Sequence, residues 1–238
     1  MTPEIWLIII VAVVGFIVQA RLQSVFSKYS KVPFPGGLTG RDVAEKMLRD
    51  NSIAAGMGTS TDGVKPIGVQ VTATRGSLTD HYDPRNNTVN LSEPVYGTAS
   101  IAAAAVAAHE CGHAVQHAKG YAPMKLRSAL VPVVNFASQI SMWVVIAGLL
   151  VINTFPQLFW IGIGLMGTAL LFSLVTLPVE LNASKRALAW LDGTHMLDQT
   201  QYRQAREALS WAAGTYVVAA LSALTSILYY IGLAGRRN

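Results

Sequence analysis

Two histidines and a glutamate lie within five consecutive residues, in the sequence His109-Glu110-Cys111-Gly112-His113. Side chains at positions i and i+4 of an α-helix project from one face, so the two imidazoles can bind a single metal ion. Neutral imidazole suits Zn²⁺, and a catalytic zinc lowers the pKa of its bound water to about 7. Glu110 can take the proton of that water without being a ligand. The spacing predicts one zinc ion per chain, bound by His109 and His113, with Glu110 as general base.

Apolar residues flank this motif on both sides, at 102–108 and at 114–115. Burying two histidines and a glutamate without partners is costly, so the flanks favour a metal-bound set over a solvated helix face. The run from Ser100 to Lys119 predicts the helix that carries the motif, and Gly120 is placed to end it. Cys111 is the single cysteine, which excludes an intramolecular disulfide, and we expect it to face away from the ligands.

The composition indicates a membrane protein. Of the 238 residues 52% are hydrophobic and 13% are charged, whereas soluble domains carry about 25% charged residues. This composition excludes a disordered chain and an ordinary nucleic-acid-binding protein. The net charge of +5 is then best explained by basic residues on the cytoplasmic side of a membrane.

Three uncharged stretches predict where the chain crosses the membrane. They contain 16, 52 and 28 residues, and a spanning helix needs about 20. The sequence 153–157 contains a proline and predicts a turn that divides the longest stretch in two. We therefore expect four transmembrane helices, at 5–20, 128–152, 157–179 and 208–235. The acidic N-terminal sequence Met-Thr-Pro-Glu argues against a cleaved signal peptide at 5–20 and favours a retained anchor.

The basic residues near the ends of these helices predict the orientation. Ten of them flank the segments 21–127 and 180–207, and two flank the opposite side. The ten are Arg21, Lys28, Lys31, Lys119, Lys125, Arg127, Lys185, Arg186, Arg203 and Arg206. We expect both segments, and with them the active site, to face the cytoplasm.

The segment 21–127 has the pattern of a small α+β unit. Thr39 to Asp42 is typical of a helix start, and apolar residues at 43, 44, 47 and 48 predict an amphipathic helix. Residues 51–66 are typical of a loop, and 67–72 alternate like a strand. Residues 76–82 and 88–92 flank a turn sequence and predict a hairpin.

The chain resembles the YugP-type membrane zinc metallopeptidases of bacteria, which are distantly similar to the HtpX group. The resemblance covers nearly the whole chain and is carried by the sequences at 78–85, 91–92, 95–96, 100–117, 178–184 and 186–191. It implies a mainly α membrane protein with four transmembrane helices and a small cytoplasmic α+β zincin-like metallopeptidase unit. It further implies a zinc-dependent endopeptidase in the cell membrane, and it supplies no substrate.

Glu180 is the candidate for the third zinc ligand. It begins the sequence Glu-Leu-Asn-Ala-Ser, which resembles the Glu-x-x-x-Asp motif that supplies the third ligand in the HtpX group. Ser184 stands in place of the aspartate, so Asn182 or Ser184 would support a histidine here. The competing interpretation of Glu180 is a charge that ends a transmembrane helix. His117 lies eight positions from His109, about 12 Å along a helix, and is therefore a cleft residue or simply a helix-end histidine.

Other polar residues are weaker candidates for the site. His81 and Tyr82 on the predicted hairpin could donate hydrogen bonds to a tetrahedral intermediate, although packing alone is the favoured interpretation of each. Asp192 and His195 are more typical of solvated charges than of ligands.

Two alternatives remain open. In a site-2-type intramembrane protease, the sequence Leu191-Asp192-Gly193 would make Asp192 the third ligand, but the alanine-rich helix around His109 is weakly apolar for a membrane span. In a non-enzymatic scaffold the zinc would be structural, although such sites favour several cysteines. We expect an endopeptidase that uses zinc-bound water, with the lipid bilayer and a peptide or membrane-protein substrate as partners and no nucleic acid.

Overall fold

The computed structural model describes residues 3–53 and 68–236, which are mostly helical and carry a small mixed sheet. Within these residues the elements are, in order, α1 (Pro3–Tyr29), a short 3₁₀-helix (Pro35–Gly37), α2 (Gly40–Asp50), β1 (Gln70–Thr74), β2 (His81–Asp83), β3 (Thr88–Ser92), α3 (Glu93–Tyr96), α4 (Ile101–Ala118), α5 (Ala122–Leu150), α6 (Pro156–Gly193) and α7 (Gln199–Gly235).

The chain forms two compact units. One, here called the apolar unit, comprises residues 1–20, 122–178 and 213–238. The other, here called the mixed unit, comprises residues 21–121 and 179–212. The mixed unit contains the whole sheet, helices α2, α3 and α4, and the polar ends of α6 and α7.

Four helices, α1, α5, α6 and α7, are long and apolar enough to cross a membrane. Many of their large apolar side chains are exposed, as at Phe16, Trp143 and Leu150, which keep 75%, 73% and 76% of their surface. Apolar surface of this extent is unfavourable in water and is suited to lipid. Four apolar helices, as the sequence predicts, are therefore confirmed.

The apolar unit has its own core around Phe159, which is fully buried together with Val145. A Cβ atom added at Gly148 would lie 2.4 Å from the Phe159 backbone, so the absence of a side chain at Gly148 allows α5 and α6 to approach closely. The turn between them lies at the predicted position, with Pro156 as the first residue of α6.

The helices continue beyond the uncharged stretches from which they were predicted. The sequence predicts that the third transmembrane helix ends at 179, but α6 runs on to Gly193, so Glu180 lies inside a helix. Similarly, α1 continues to Tyr29 and α7 begins at Gln199. A helix satisfies its own backbone hydrogen bonds in lipid and in water, so the loss of apolar sequence does not end it.

Helix α2 forms where the sequence predicts it. The Thr39 hydroxyl accepts a hydrogen bond from the Asp42 backbone N–H, and the Asp42 carboxylate accepts one from the Thr39 backbone N–H, which completes a capping box. The four predicted apolar residues are buried on one face: Val43, Ala44, Met47 and Leu48. That face packs against α4.

The sheet has the order β1-β3-β2. The predicted hairpin is confirmed, with β2 antiparallel to β3, and β1 pairs in parallel with the other side of β3. Val89 and Leu91 on the central strand are fully buried, and the sheet packs against α4 through β2 and β3. Residues 54–67 lie outside the described part of the chain, so most of the predicted loop 51–66 and the predicted strand start at Ile67 are not described.

Candidate metal centre

Helix α4 carries the two histidines through the interior of the mixed unit. Its alanines are small enough for α2, α3 and the sheet to pack close around it, and most of its residues are buried. The Ser100 hydroxyl accepts a hydrogen bond from the Ala103 backbone N–H and caps the first turn. At the other end Gly120 has a φ of +64°, and its N–H donates to the His117 carbonyl at 3.0 Å. The predicted helix and its glycine stop are therefore both present.

Gly112 allows α4 and α6 to cross in close contact beside the motif. A Cβ atom at this position would lie 2.6 Å from the carbonyl oxygen of Ala183, a separation that real Cβ atoms do not adopt. Ala183 is part of the backbone of α6, three positions after Glu180. The missing side chain thus brings the two ligand-bearing helices together at the level of the site.

His109, His113 and Glu180 converge on one point between α4 and α6. The Oε2 atom of Glu180 lies 3.2 Å from His109 Nε2 and 3.3 Å from His113 Nε2. One ligand atom from each residue lies within 4.8 Å of the other two. The Glu180 and His113 side chains are 2% and 6% exposed, and His109 is more open at 13%. The cluster is therefore buried, with its more accessible side at His109.

The geometry of this cluster fits a zinc ion. Tetrahedral zinc bonds of about 2.0–2.1 Å place two ligand atoms roughly 3.3–3.4 Å apart, which agrees with the 3.2 and 3.3 Å separations around Glu180. Two imidazoles and one carboxylate form a donor set of open catalytic zinc sites, with a fourth position left for water or substrate. Both the spacing and the donor chemistry are therefore suitable for zinc.

The other nitrogen of each histidine ring contacts a neutral polar side chain. His109 Nδ1 lies 3.1 Å from the Ser184 hydroxyl, so of the two side chains that the sequence left open, Ser184 is the one in contact with this histidine. His113 Nδ1 lies 3.0 Å from Gln116 Oε1. Asn182 accepts hydrogen bonds from Gln116 and from Arg186. Sequence reasoning did not identify Gln116, although a glutamine three positions after His113 in an alanine-rich helix was a visible signal.

Glu110 is buried beside the cluster, on the same helix as the two histidines. Burial raises the pKa of its carboxyl to about 7, and the nearby carboxylates of Glu180 and Asp80 act in the same direction, while His109 opposes them. A carboxyl group with a pKa near neutrality can both accept and return a proton at neutral pH. This is the property that general acid–base catalysis requires.

Tyr82 and His117 contact each other, whereas His81 has a different partner. The Tyr82 hydroxyl donates to Asn87 Oδ1 at 2.7 Å and lies 2.7 Å from His117 Nδ1. His81 is exposed, and its Nδ1 lies 2.8 Å from the Thr79 carbonyl oxygen. Among the described residues, the group that could hold a metal ion contains none of these three.

The remaining candidates lie away from the cluster. Asp192 is exposed on α6, twelve positions after Glu180 and hence about 18 Å further along the helix axis. His195 is exposed in the turn after α6. Cys111 is buried on the α2 side of α4, where its Sγ lies 3.5 Å from the Ala44 carbonyl oxygen. Burial raises the pKa of this thiol.

Comparison with known proteins identifies the class. The family model described as "Putative neutral zinc metallopeptidase" matches residues 4–235, and the chain belongs to this family. The chain is also 40% identical over 217 residues to the "Putative membrane protease YugP" of Bacillus subtilis (strain 168), which covers 91% of this chain and 90% of that protein. The family resemblance seen in the sequence is confirmed. No solved structure matches the chain.

Proposed function

We propose that this protein is a membrane-embedded zinc endopeptidase whose active site faces the cytoplasm. His109, His113 and Glu180 hold the metal, and Glu110 is the general base. The observation that carries this proposal is the convergence of three ligand atoms from α4 and α6, with Glu180 Oε2 at 3.2 and 3.3 Å from the two histidine nitrogens. The family and its membrane-protease relative support the peptidase class.

Zinc held at this position supplies a Lewis acid, which lowers the pKa of a water molecule and polarises the scissile carbonyl. The protein contributes the remaining steps. Glu110 accepts the proton of the attacking water and returns it to the leaving amine, since it lies buried beside the cluster on the same helix as the two histidines. Ser184 and Gln116 hold the two imidazoles, and burial of the cluster limits the access of bulk water.

An extended polypeptide is the proposed substrate. Within the described residues the sheet order β1-β3-β2 leaves β1 and β2 as its outer strands, and such edges offer backbone hydrogen-bonding groups to an incoming chain. β2 packs on α4, the element that carries the motif, so the β2 edge is the one we propose for the substrate. A peptide or membrane-protein segment paired with this edge would adopt the extended conformation of a strand, which exposes the peptide bond.

The cytoplasmic orientation rests on charge. The ten basic residues that flank the segments 21–127 and 180–207 outnumber the two on the other side. Cytoplasmic flanks of membrane helices are enriched in lysine and arginine. The substrate is therefore sought among cytoplasmic and membrane proteins.

Comparison of protein N-termini by mass spectrometry, in cells that produce either the wild-type protein or Glu110→Gln, tests this function. Glutamine keeps the shape of the side chain but cannot take a proton, so new N-termini present with the wild type should be absent with the variant. The matched control is Glu93→Gln, which changes a carboxylate at the start of α3 and should leave the cleavage products in place. Identical N-termini with wild type and Glu110→Gln, in cells where both bind zinc, would instead support the structural-zinc alternative.

A further inference from the structure

Gln116 connects the two helices that form the metal centre. It lies on α4 three positions after His113 and is fully buried. Its Oε1 lies 3.0 Å from His113 Nδ1, and its Nε2 donates to the Val179 carbonyl oxygen at 2.8 Å and to Asn182 Oδ1 at 3.0 Å. A single amide group therefore contacts a candidate ligand on α4 and the backbone of α6 next to Glu180.

The chemistry of these partners determines which way the amide points. The Val179 carbonyl can only accept a hydrogen bond, so the NH₂ end of Gln116 must face α6. The carbonyl end then faces His113 Nδ1, and because it too can only accept, Nδ1 must carry the hydrogen. In the neutral ring this leaves the lone pair on Nε2, directed at Glu180 Oε2 from 3.3 Å. That tautomer is the one able to bind a metal at the cluster.

The same contacts extend to Arg186. Its Nε donates to Asn182 Oδ1 at 2.8 Å, beside the bond from Gln116. Because both neighbours of this oxygen are donors, the Asn182 amide is fixed with its carbonyl towards Gln116. The hydrogen bonds thus run from His113 through Gln116 and Asn182 to Arg186, and they contact α6 at the residue before Glu180 and at the second residue after it.

We propose that Gln116 is a positioning residue for the metal centre. It fixes His113 in the metal-binding tautomer. It also holds that ring beside Glu180 through its hydrogen bonds to the Val179 carbonyl oxygen and the Asn182 side chain on α6. The role rests on the proposed zinc site, and it acts through His113 rather than on the substrate. Partners of this kind typically contribute about 10- to 100-fold to metal affinity.

The test measures zinc affinity by competition with a chromogenic chelator, on purified full-length protein. Gln116→Met keeps the length of the side chain and removes its hydrogen bonds, and zinc should bind about 10- to 100-fold more weakly. The absorption bands of the Co²⁺-substituted protein at saturating metal should also change, because the orientation of the His113 ring has been lost. The matched control is Gln204→Met on α7, a glutamine whose Oε1 accepts no hydrogen bond within the described residues, and it should match the wild type in both measurements.

A double-variant comparison separates positioning from simple packing. In a Gln116→Met background, Asn182→Ala should cause no further loss of zinc affinity, because the glutamine through which Asn182 acts is gone. An equal loss in both backgrounds, or wild-type affinity and cobalt spectra in Gln116→Met, would overturn the proposal. If Gln116→Met fails to fold, Asn182→Ala provides the same test, since it removes one acceptor of the Gln116 amide and should weaken zinc by a smaller factor. Absence of zinc from the wild-type protein would overturn the metal site itself, which is a different result from unchanged affinity in the variant.

Discussion

Glu110 and Glu180 are two buried carboxyl groups beside the same pair of histidines, and their contacts assign them different chemistry. Glu180 Oε2 lies within 3.3 Å of both histidine nitrogens, the arrangement expected of a shared metal. Glu110 has a pKa raised to about 7 by burial, the property expected of a base that works at neutral pH. We propose Glu180 as ligand and Glu110 as base because their environments differ in this way.

The contact between Ser184 and His109 gives a prediction at this scale. Ser184→Ala removes the hydroxyl 3.1 Å from His109 Nδ1, so the ring loses its support and zinc affinity should fall by about tenfold. Chelator competition measures the change. The control is Ser173→Ala, because the Ser173 hydroxyl bonds only within its own helix, to the Ala169 carbonyl. Equal affinities in Ser184→Ala and the wild type would show that this contact does not orient the ligand.

The sequence could identify the candidate site residues on α4 but not the hydrogen bonds that hold them. His109, Glu110 and His113 were evident because all three belong to one helical turn and a half. Glu180 was proposed only through resemblance to another family, since 67 positions separate it from His113. Gln116 was missed because its partners lie on α6, and a single sequence does not reveal which glutamine faces a distant backbone carbonyl.

At the scale of elements, the crossing of α4 and α6 depends on Gly112. Gly112→Ala places a Cβ atom 2.6 Å from the Ala183 carbonyl oxygen, so the helices must separate. We expect a destabilisation of about 1–3 kcal/mol and a loss of zinc, because Glu180 moves away from the histidines. Thermal unfolding in detergent and zinc analysis measure the two effects.

Gly193→Ala is the matched control for that change. Gly193 ends α6, and an added Cβ would meet no atom within 4 Å in the described part of the chain. This variant should keep both its stability and its zinc. If Gly112→Ala behaves in the same way as Gly193→Ala, the close approach of the two helices is not required for the site.

The capping box of α2 gives a pH-dependent prediction. Hydrogen bonds from the Thr39 hydroxyl and backbone N–H lower the pKa of Asp42. The ionised carboxylate therefore stabilises α2 fully at a pH above the ordinary carboxyl pKa. This stabilisation is lost as the pH falls through the lowered pKa of Asp42. Thr39→Ala should destabilise α2 by about 1 kcal/mol at neutral pH. Hydrogen exchange of the backbone amides in the first turn measures this as a roughly fivefold loss of protection. The difference between wild type and variant should shrink in acid. A difference that is constant with pH would contradict the role of Asp42.

The elements predicted best from the sequence were those with local signals. The capping box, the glycine stop of α4 and the turn of the hairpin each act within a few residues, and each is present in the structure. The parallel pairing of β1 with β3 and the continuation of α6 past Glu180 were not predicted. Both depend on tertiary partners. The pairing of β1 depends on a strand distant in sequence, and α6 can continue past Glu180 because histidines from another helix face that charge.

At the scale of the whole molecule, the orientation in the membrane can be tested by cysteine labelling. Cys111 is buried, so background labelling should be low. Ser60→Cys, in the segment predicted to face the cytoplasm, should react with a membrane-impermeant maleimide in inside-out vesicles and not in intact cells. Thr154→Cys, in the exposed turn between α5 and α6, should show the reverse pattern. Labelling of Ser60→Cys in intact cells would place the segment 21–127 outside the cell.

The central claim is that zinc is shared between His109 and His113 of α4 and Glu180 of α6. Zinc content of three purified proteins, the wild type, Glu180→Ala and Asp192→Ala, tests it most directly. We predict one zinc per chain in the wild type and in Asp192→Ala, whose carboxylate lies about 18 Å further along α6, and little or none in Glu180→Ala. Zinc retained by Glu180→Ala and lost from Asp192→Ala would contradict the account and favour the site-2-type arrangement.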